Sequence, residues 1–330
     1  MKHPLTAALC LALATGCGAA GANAFRGGVP TASNVSLAVP GQSGQPLTGD
    51  TGSMSDPLQG QTSNFYRLTR DVTGGVNGGV VLILGTVRAV TRVRPTSLTG
   101  QTAVWGPYTP DLSPITWKLT VTHTEGQTYT YTLEGKAKGD PDTGYQVVLS
   151  GTHTRAVDAK GNAIADYGQG TFLLDWDARN KLPDAKANLT GTAEVDYARP
   201  TPGQDTTIEV SFTGATDARS GRTLNARYTY AHTPNVGGTF TFVADSDVDG
   251  DGTDETLAIE SRWQHSGTGR SDVKATGGDL QQPATINECW DDNFASTFMA
   301  ASFSTDPKYN YGDEATGCAF ATAEYAPAQP

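Results

Sequence analysis

Between Trp105-Gly106-Pro107 and Trp263, apolar and polar residues alternate with a period of two in about ten segments, separated by turn clusters such as Glu125-Gly126, Lys160-Gly161-Asn162 and Ser220-Gly221. A period of two sends neighbouring side chains to opposite faces of a strand. One face reads Ile115, Trp117, Leu119, Val121; Tyr129, Tyr131, Leu133; Tyr145, Val147, Leu149; Ala193, Val195, Tyr197; Ile208, Val210, Phe212; and Phe240, Phe242. The other is hydroxylated or charged, as in Thr116, Lys118, Thr120 and Thr122. Composition agrees, with 46 Thr among 330 residues and only 17% charged side chains, which suits strands whose outer face is wet. Strands joined by short turns pair antiparallel, and ten of them with one apolar face do not stay open and flat. The expectation is a mainly β chain, an antiparallel meander of about ten strands forming a barrel or a curled half-barrel.

Upstream, 64 to about 93 reads as a helix that stops before Pro95, with Arg88, Arg92 and Arg94 where cations favour a helix C-terminus. Its Val80-Val81-Leu82-Ile83-Leu84 run is apolar on every side, which calls for surroundings. The uncharged stretch from Gly74 to Val87 is shorter than the roughly 20 residues of a membrane span. A buried helix and a concave apolar sheet face satisfy each other in water, with a break at Gly74-Gly75 as a variant.

The first residues carry an address. Lys2 and His3 precede an apolar run, Leu5 to Ala14, of signal-peptide length. Leu13-Ala14-Thr15-Gly16-Cys17 then resembles the lipobox of bacterial lipoproteins, although the residue three places before the cysteine is Ala14 and not the usual aliphatic. The resemblance implies cleavage before Cys17, lipidation of its thiol and, with Gly18 next, residence at the outer membrane. Cleavage after Ala22-Asn23-Ala24 is the alternative and would leave a secreted protein. Residues 18 to 62, rich in Ala, Gly, Ser, Thr, Pro and Gln, read as a disordered tether. The chain then divides into a signal at 1–16, an anchor and linker at 17–62, a helix-plus-meander domain at 63–280 and a tail at 281–330. A net charge of −11 excludes a basic nucleic-acid module and predicts a body standing off anionic lipid.

The strongest chemical pattern is Asp245-Ser-Asp247-Val-Asp249-Gly-Asp251-Gly-Thr253-Asp254-Glu255, a hairpin loop whose six carboxylates repel unless a cation or solvent screens them. It resembles the calcium loop of integrin-type and FG-GAP repeats, which implies ligation of structural calcium by Asp247, Asp249, Asp251, Glu255 and the Thr253 carbonyl. A solvated acidic turn is the plainer reading. With Cys10 removed and Cys17 lipidated, Cys289 and Cys318 are left to form a disulfide in an oxidising compartment. Trp290, Phe294 and Phe298 recur every fourth residue and predict a short helix on the body. His123, His153, His232 and His265 each fall where a strand runs into its turn, so odd-numbered strands carry all four to one rim, too far apart to share a metal.

No nucleophile elbow, P-loop, dinucleotide fingerprint or HExxH stands in the chain, and Asp175 and Asp177 beside Trp176 are the nearest thing to paired acids. The lipobox, helix, Trp-Gly-Pro, meander and Cys-Trp tail are together similar to bacterial cell-envelope lipoproteins, which implies location and architecture. The expected role is a non-enzymatic binding or scaffolding module, partnered by the membrane through its anchor and by another envelope protein. A carrier of lipid or another hydrophobic ligand, as the shapes of lipocalin and LolA-like folds suggest, is the second reading, and a secreted hydrolase the third.

Overall fold

The computed structural model describes residues 21–41, 58–183, 190–216, 223–248 and 250–327. Cys17, Asp249 and the linker residues 42–57 lie outside them. The alternating segments become the strands β1 (Ser97–Leu98), β2 (Thr102–Tyr108), β3 (Ile115–Glu125), β4 (Thr128–Ala137), β5 (Gln146–Val157), β6 (Ala163–Asp175) and β7 (Thr192–Arg199). They continue with β8 (Thr206–Thr216), β9 (Thr223–Thr233), β10 (Gly237–Ser246), β11 (Glu255–Gln264), β12 (Gly269–Thr276), β13 (Ala284–Trp290) and β14 (Ser296–Ala301). Each pairs antiparallel with the next, so one fourteen-stranded sheet runs in sequence order.

Three expectations are corrected. The sheet has fourteen strands where about ten were read: β1 and β2 precede the strands that were read, and in β12 and β13 the buried Ser271 and Glu288 interrupt the apolar alternation. It is not a closed barrel: β1 and β14 are its two edges. β1 is only two residues long, and β14 is covered by Tyr311, whose backbone exchanges two hydrogen bonds with Met299. The expected helix over Trp290, Phe294 and Phe298 is the β13–β14 hairpin, turned at Phe294 with φ +62°. The Cys289–Cys318 disulfide ties the closing segment to β13.

Inward side chains follow the sequence pattern in most strands: Trp117, Leu119, Val121, Tyr131, Leu133, Val195, Tyr197, Val210 and Phe240 are all buried in one core. β5 departs from it. The register slips by one residue beside Leu133/Glu134, so Val148 turns inward and Val147 is left exposed.

The long helix runs Asn64–Thr91, unbroken through Gly74-Gly75. No described helix is long and apolar enough to cross a membrane. Ser63 caps its start by accepting from the Tyr66 amide at 3.1 Å. Glu288, 1% exposed on β13, accepts from the Phe65 amide at 2.9 Å and the Asn64 amide at 3.3 Å. A buried carboxylate is placed at the positive end of the helix, where unpaired amides need an acceptor. Thr69, Ser261 and Ser271 extend this polar contact as a chain of hydroxyls at 2.7 and 2.6 Å. From there the helix crosses the inner face to β2, where Trp105 donates to the Val93 carbonyl at 3.1 Å. Leu84, Val87 and Val90 are buried along the way.

Residues 21–41, expected to be part of a disordered tether, are a packed strap. They are helical over 21–26, turn at Ala32–Asn34 and then extend. Phe25, Val29, Val35, Leu37 and Val39 enter the core, and this spacing of apolar residues among Gly, Ser and Ala is why composition averaging missed them. The strap runs antiparallel to the long helix. Arg26 donates to the Thr91 and Val93 carbonyls at 2.8 and 2.9 Å, Asn77 pairs with both backbone groups of Leu37 at 2.8 and 2.9 Å, and Tyr66 donates to the Pro40 carbonyl at 2.7 Å. Replacing Asn77 by Ala strands both Leu37 groups in a part-buried site. Urea unfolding should show a loss of about 2 kcal/mol with an unchanged denaturant slope.

Candidate functional site: the acidic loop and the histidine rim

Hairpin β10–β11 pairs fully as far as Ser246 and Glu255, which fixes both ends of the acidic loop. Inside it, the Asp247 carboxylate accepts from the Gly250 amide at 2.7 Å through Oδ1 and from the Gly252 amide at 3.0 Å through Oδ2. Both glycines have positive φ, +83° and +99°, so the loop curls around this side chain at positions that suit glycine. Asp251 accepts from the Thr253 amide at 2.8 Å, which helps hold its carboxyl below the ordinary range. Thr253 is placed with its amide turned to Asp251. Glu255 is different from the rest. It is 1% exposed, its Oε2 accepts from the Val248 amide at 2.9 Å, and its Oε1 has no hydrogen-bond partner.

The structure ties Asp247, Asp251 and Glu255 each to its own backbone amides in this loop and adds a residue that the sequence reading missed. Asp279, on the turn between β12 and β13, reaches Asp251 side chain to side chain. Strand order supplies the signal: β10–β11 and β12–β13 are adjacent hairpins that turn at the same end of the sheet, so their loops are neighbours. Among the described residues, no three His, Cys, Asp or Glu side chains are already gathered closely enough to hold a metal ion. The amide-anchored carboxylates hold the loop in shape.

The register carries the four histidines to one rim, on β3, β5, β9 and just past β11, and gives His123, His153 and His232 different neighbours. His123 Nε2 lies 3.0 Å from the Gly126 carbonyl, and its ring sits beside Tyr129. His232 stacks on Tyr230. His153 is buried, with Nδ1 2.7 Å from the Tyr197 hydroxyl. Burial, with the nearby Arg155 charge, pulls its pKa down to about 4. The strap passes over this rim: Phe25 meets Tyr129 edge-on at 5.8 Å, Arg155 reaches the Ala24 carbonyl at 3.4 Å, and Ala38 shares two hydrogen bonds with the Tyr230 hydroxyl. Asp175 and Asp177 are local anchors, accepting from the amides of Ala178 at 2.7 Å and Gly191 at 3.0 Å.

A second charged constellation lies on the outer face under the C-terminal segment. Arg262 and Arg270 stand directly opposite one another on β11 and β12, a repulsive placement that Asp272 relieves by bonding both, at 2.8 and 2.7 Å. Glu324 and Glu314 approach from the closing segment, at 2.5 Å from Arg262 and 2.7 Å from Arg270. Opposed arginines in the strand register were the available signal.

No protein-family model, curated protein or solved structure matches the chain. Its chemistry is therefore argued from these residues alone.

The His153 geometry fixes a pH dependence. The folded ring stays neutral down to about pH 4, whereas the unfolded ring takes a proton near 6.5, so the unfolded state binds more protons between these values. Stability should rise by about 3 kcal/mol from this group as pH climbs from 4 to 6.5. Unfolding free energies measured across that range should show this part of the slope in the parent and not in His153→Gln.

Proposed function

We propose that this chain is a lipid-anchored protein of the bacterial cell envelope, resident at the outer membrane, that works as a binding or scaffolding module and not as a carrier of hydrophobic molecules. The observation that carries this reading is that the sheet's inner face is filled by the protein's own helix and strap. Leu84, Val87 and Val90 from one and Val29, Val35, Leu37 and Val39 from the other occupy the place where a lipocalin-like carrier keeps its ligand. Two hollows on the described surface, about 560 and 510 Å³, are lined by Trp263, His265 and Phe320 in one case and by Phe25, Leu98 and Tyr129 in the other.

A curled half-barrel fits the distances. From β13 to β2 the sheet crosses eleven inter-strand spacings, about 50 Å along its surface. The 28-residue helix that touches both is about 42 Å long. An arc longer than its chord is bowed.

The strap supports processing before Cys17 over cleavage after Ala24. Ala22 is buried, and Asn23 accepts both the Arg26 guanidinium at 2.7 Å and the Gly27 amide at 3.1 Å. A new ammonium on buried Phe25 would be placed in the core without those partners. Lipidation at Cys17 then leaves only three residues before the folded body at Gly21. This reach, within about 14 Å, replaces the long stand-off expected of a flexible tether. Calcium in the acidic loop is part of the same reading: it pins the β10–β11 hairpin and performs no chemistry.

Native mass spectrometry of the protein extracted in mild detergent from its own envelope tests the reading. The expected mass is that of a chain starting at acylated Cys17 with no further lipid in the folded body. A noncovalently held lipid would move the assignment to a carrier, and a mature chain starting at Phe25 would remove the anchor.

A further inference from the structure

Two features at the end of the sheet ask for the same thing. The Glu255 carboxylate is buried with an oxygen that has no hydrogen-bond partner, a position that a bound cation would satisfy. That oxygen points at the β12–β13 turn: Gly278, at φ +57°, lies so close that a side-chain carbon there would collide with Oε1. One residue further, the Asp279 carboxyl is in contact with that of Asp251. Two carboxylates this close repel one another, and a cation between them removes the repulsion. Both features therefore fall on the seam between two hairpins, whereas the calcium-loop pattern concerns one hairpin alone.

We infer that Asp279 and Glu255 Oε1 complete a divalent-cation site that bridges the β10–β11 and β12–β13 loops, with Asp247 and Asp251 supplying the remaining carboxylates. This rests on the calcium reading of the acidic loop and extends it to a second hairpin. Glu255 is the fixed wall of the site, being buried and tied to the Val248 amide. Asp251 and Asp279 are exposed and Asp247 is half-buried, so the ion would draw mobile side chains onto this fixed anchor. A hard ion with six to eight oxygen ligands is the fitting occupant, since all four of these side chains are carboxylates. The ion then acts on the sheet as a clasp. β12 is tied to β11 by the strand ladder, and β13 carries both the helix-capping Glu288 and the disulfide, so holding the β12–β13 turn steadies the end of the sheet where helix and closing segment meet.

The test uses the full folded chain, stripped with chelator and titrated with calcium, with hydrogen exchange read with and without the ion. The parent is expected to bind one ion and to gain protection in both 247–255 and 277–281. Asp247→Asn should abolish binding, and Asp279→Asn should weaken it at least tenfold and remove the protection at 277–281. Binding by Asp279→Asn within twofold of the parent, or protection confined to 247–255, overturns the bridge and leaves a one-hairpin site standing. A parent that binds no calcium at all overturns both.

Discussion

Everything in this molecule answers one demand: a fourteen-stranded sheet with an apolar inner face must cover that face. An open antiparallel sheet can leave one side wet, and here that side is the threonine-rich one. The inner side is covered by a helix that lies across the strands and by a strap that runs back alongside it. Neither is stable alone. The helix is rich in glycine and carries Thr69, Thr73 and Thr91 on its buried side. The strap has one short helical turn of its own. Each is held by the sheet and by the other, through Arg26, Asn77 and Tyr66 at three points along their length.

The cover also explains where polar groups are buried. A helix that begins over β13 brings unpaired amides into the interior, and Glu288 meets them. Ser261 and Ser271 line the path because Thr69 lies above them. The same strands carry Arg262, Arg270 and Asp272 on their outer side beneath the closing segment. One end of the sheet is therefore polar on both faces and held by hydrogen bonds, ion pairs and a disulfide, while its middle is held by apolar packing. The acidic loop lies at that polar end, where a bound ion would act on an already cross-linked region.

Filling the concavity bears on function more than any single side chain does. A sheet whose inner face is covered by its own chain has its rims and outer face left, and the proposed binding or scaffolding role rests on those surfaces. On the proposed reading, only residues 18–20 separate an anchor at Cys17 from the strap, so the body would be held close to the membrane.

Much of this was legible in the sequence. Period-two alternation identified most strands and the inward side chains of β3, β4, β7 and β8. The stop before Pro95 placed the end of the long helix to within two residues, and cysteine arithmetic paired Cys289 with Cys318. These are local properties, carried by neighbours a few residues apart or by elimination. The strap, β12 to β14, the role of Glu288 and the approach of Asp279 to Asp251 were not legible. Each depends on a partner distant in sequence: Leu37 looks like linker until Asn77 is beside it, and Ser271 looks outward-facing until the helix arrives. Periodicity records which side of a strand is buried only when the burying surface is apolar. Where the tertiary structure supplied a polar partner, through a helix terminus, a hydroxyl chain or a carboxylate from the next hairpin, only that structure decided the outcome.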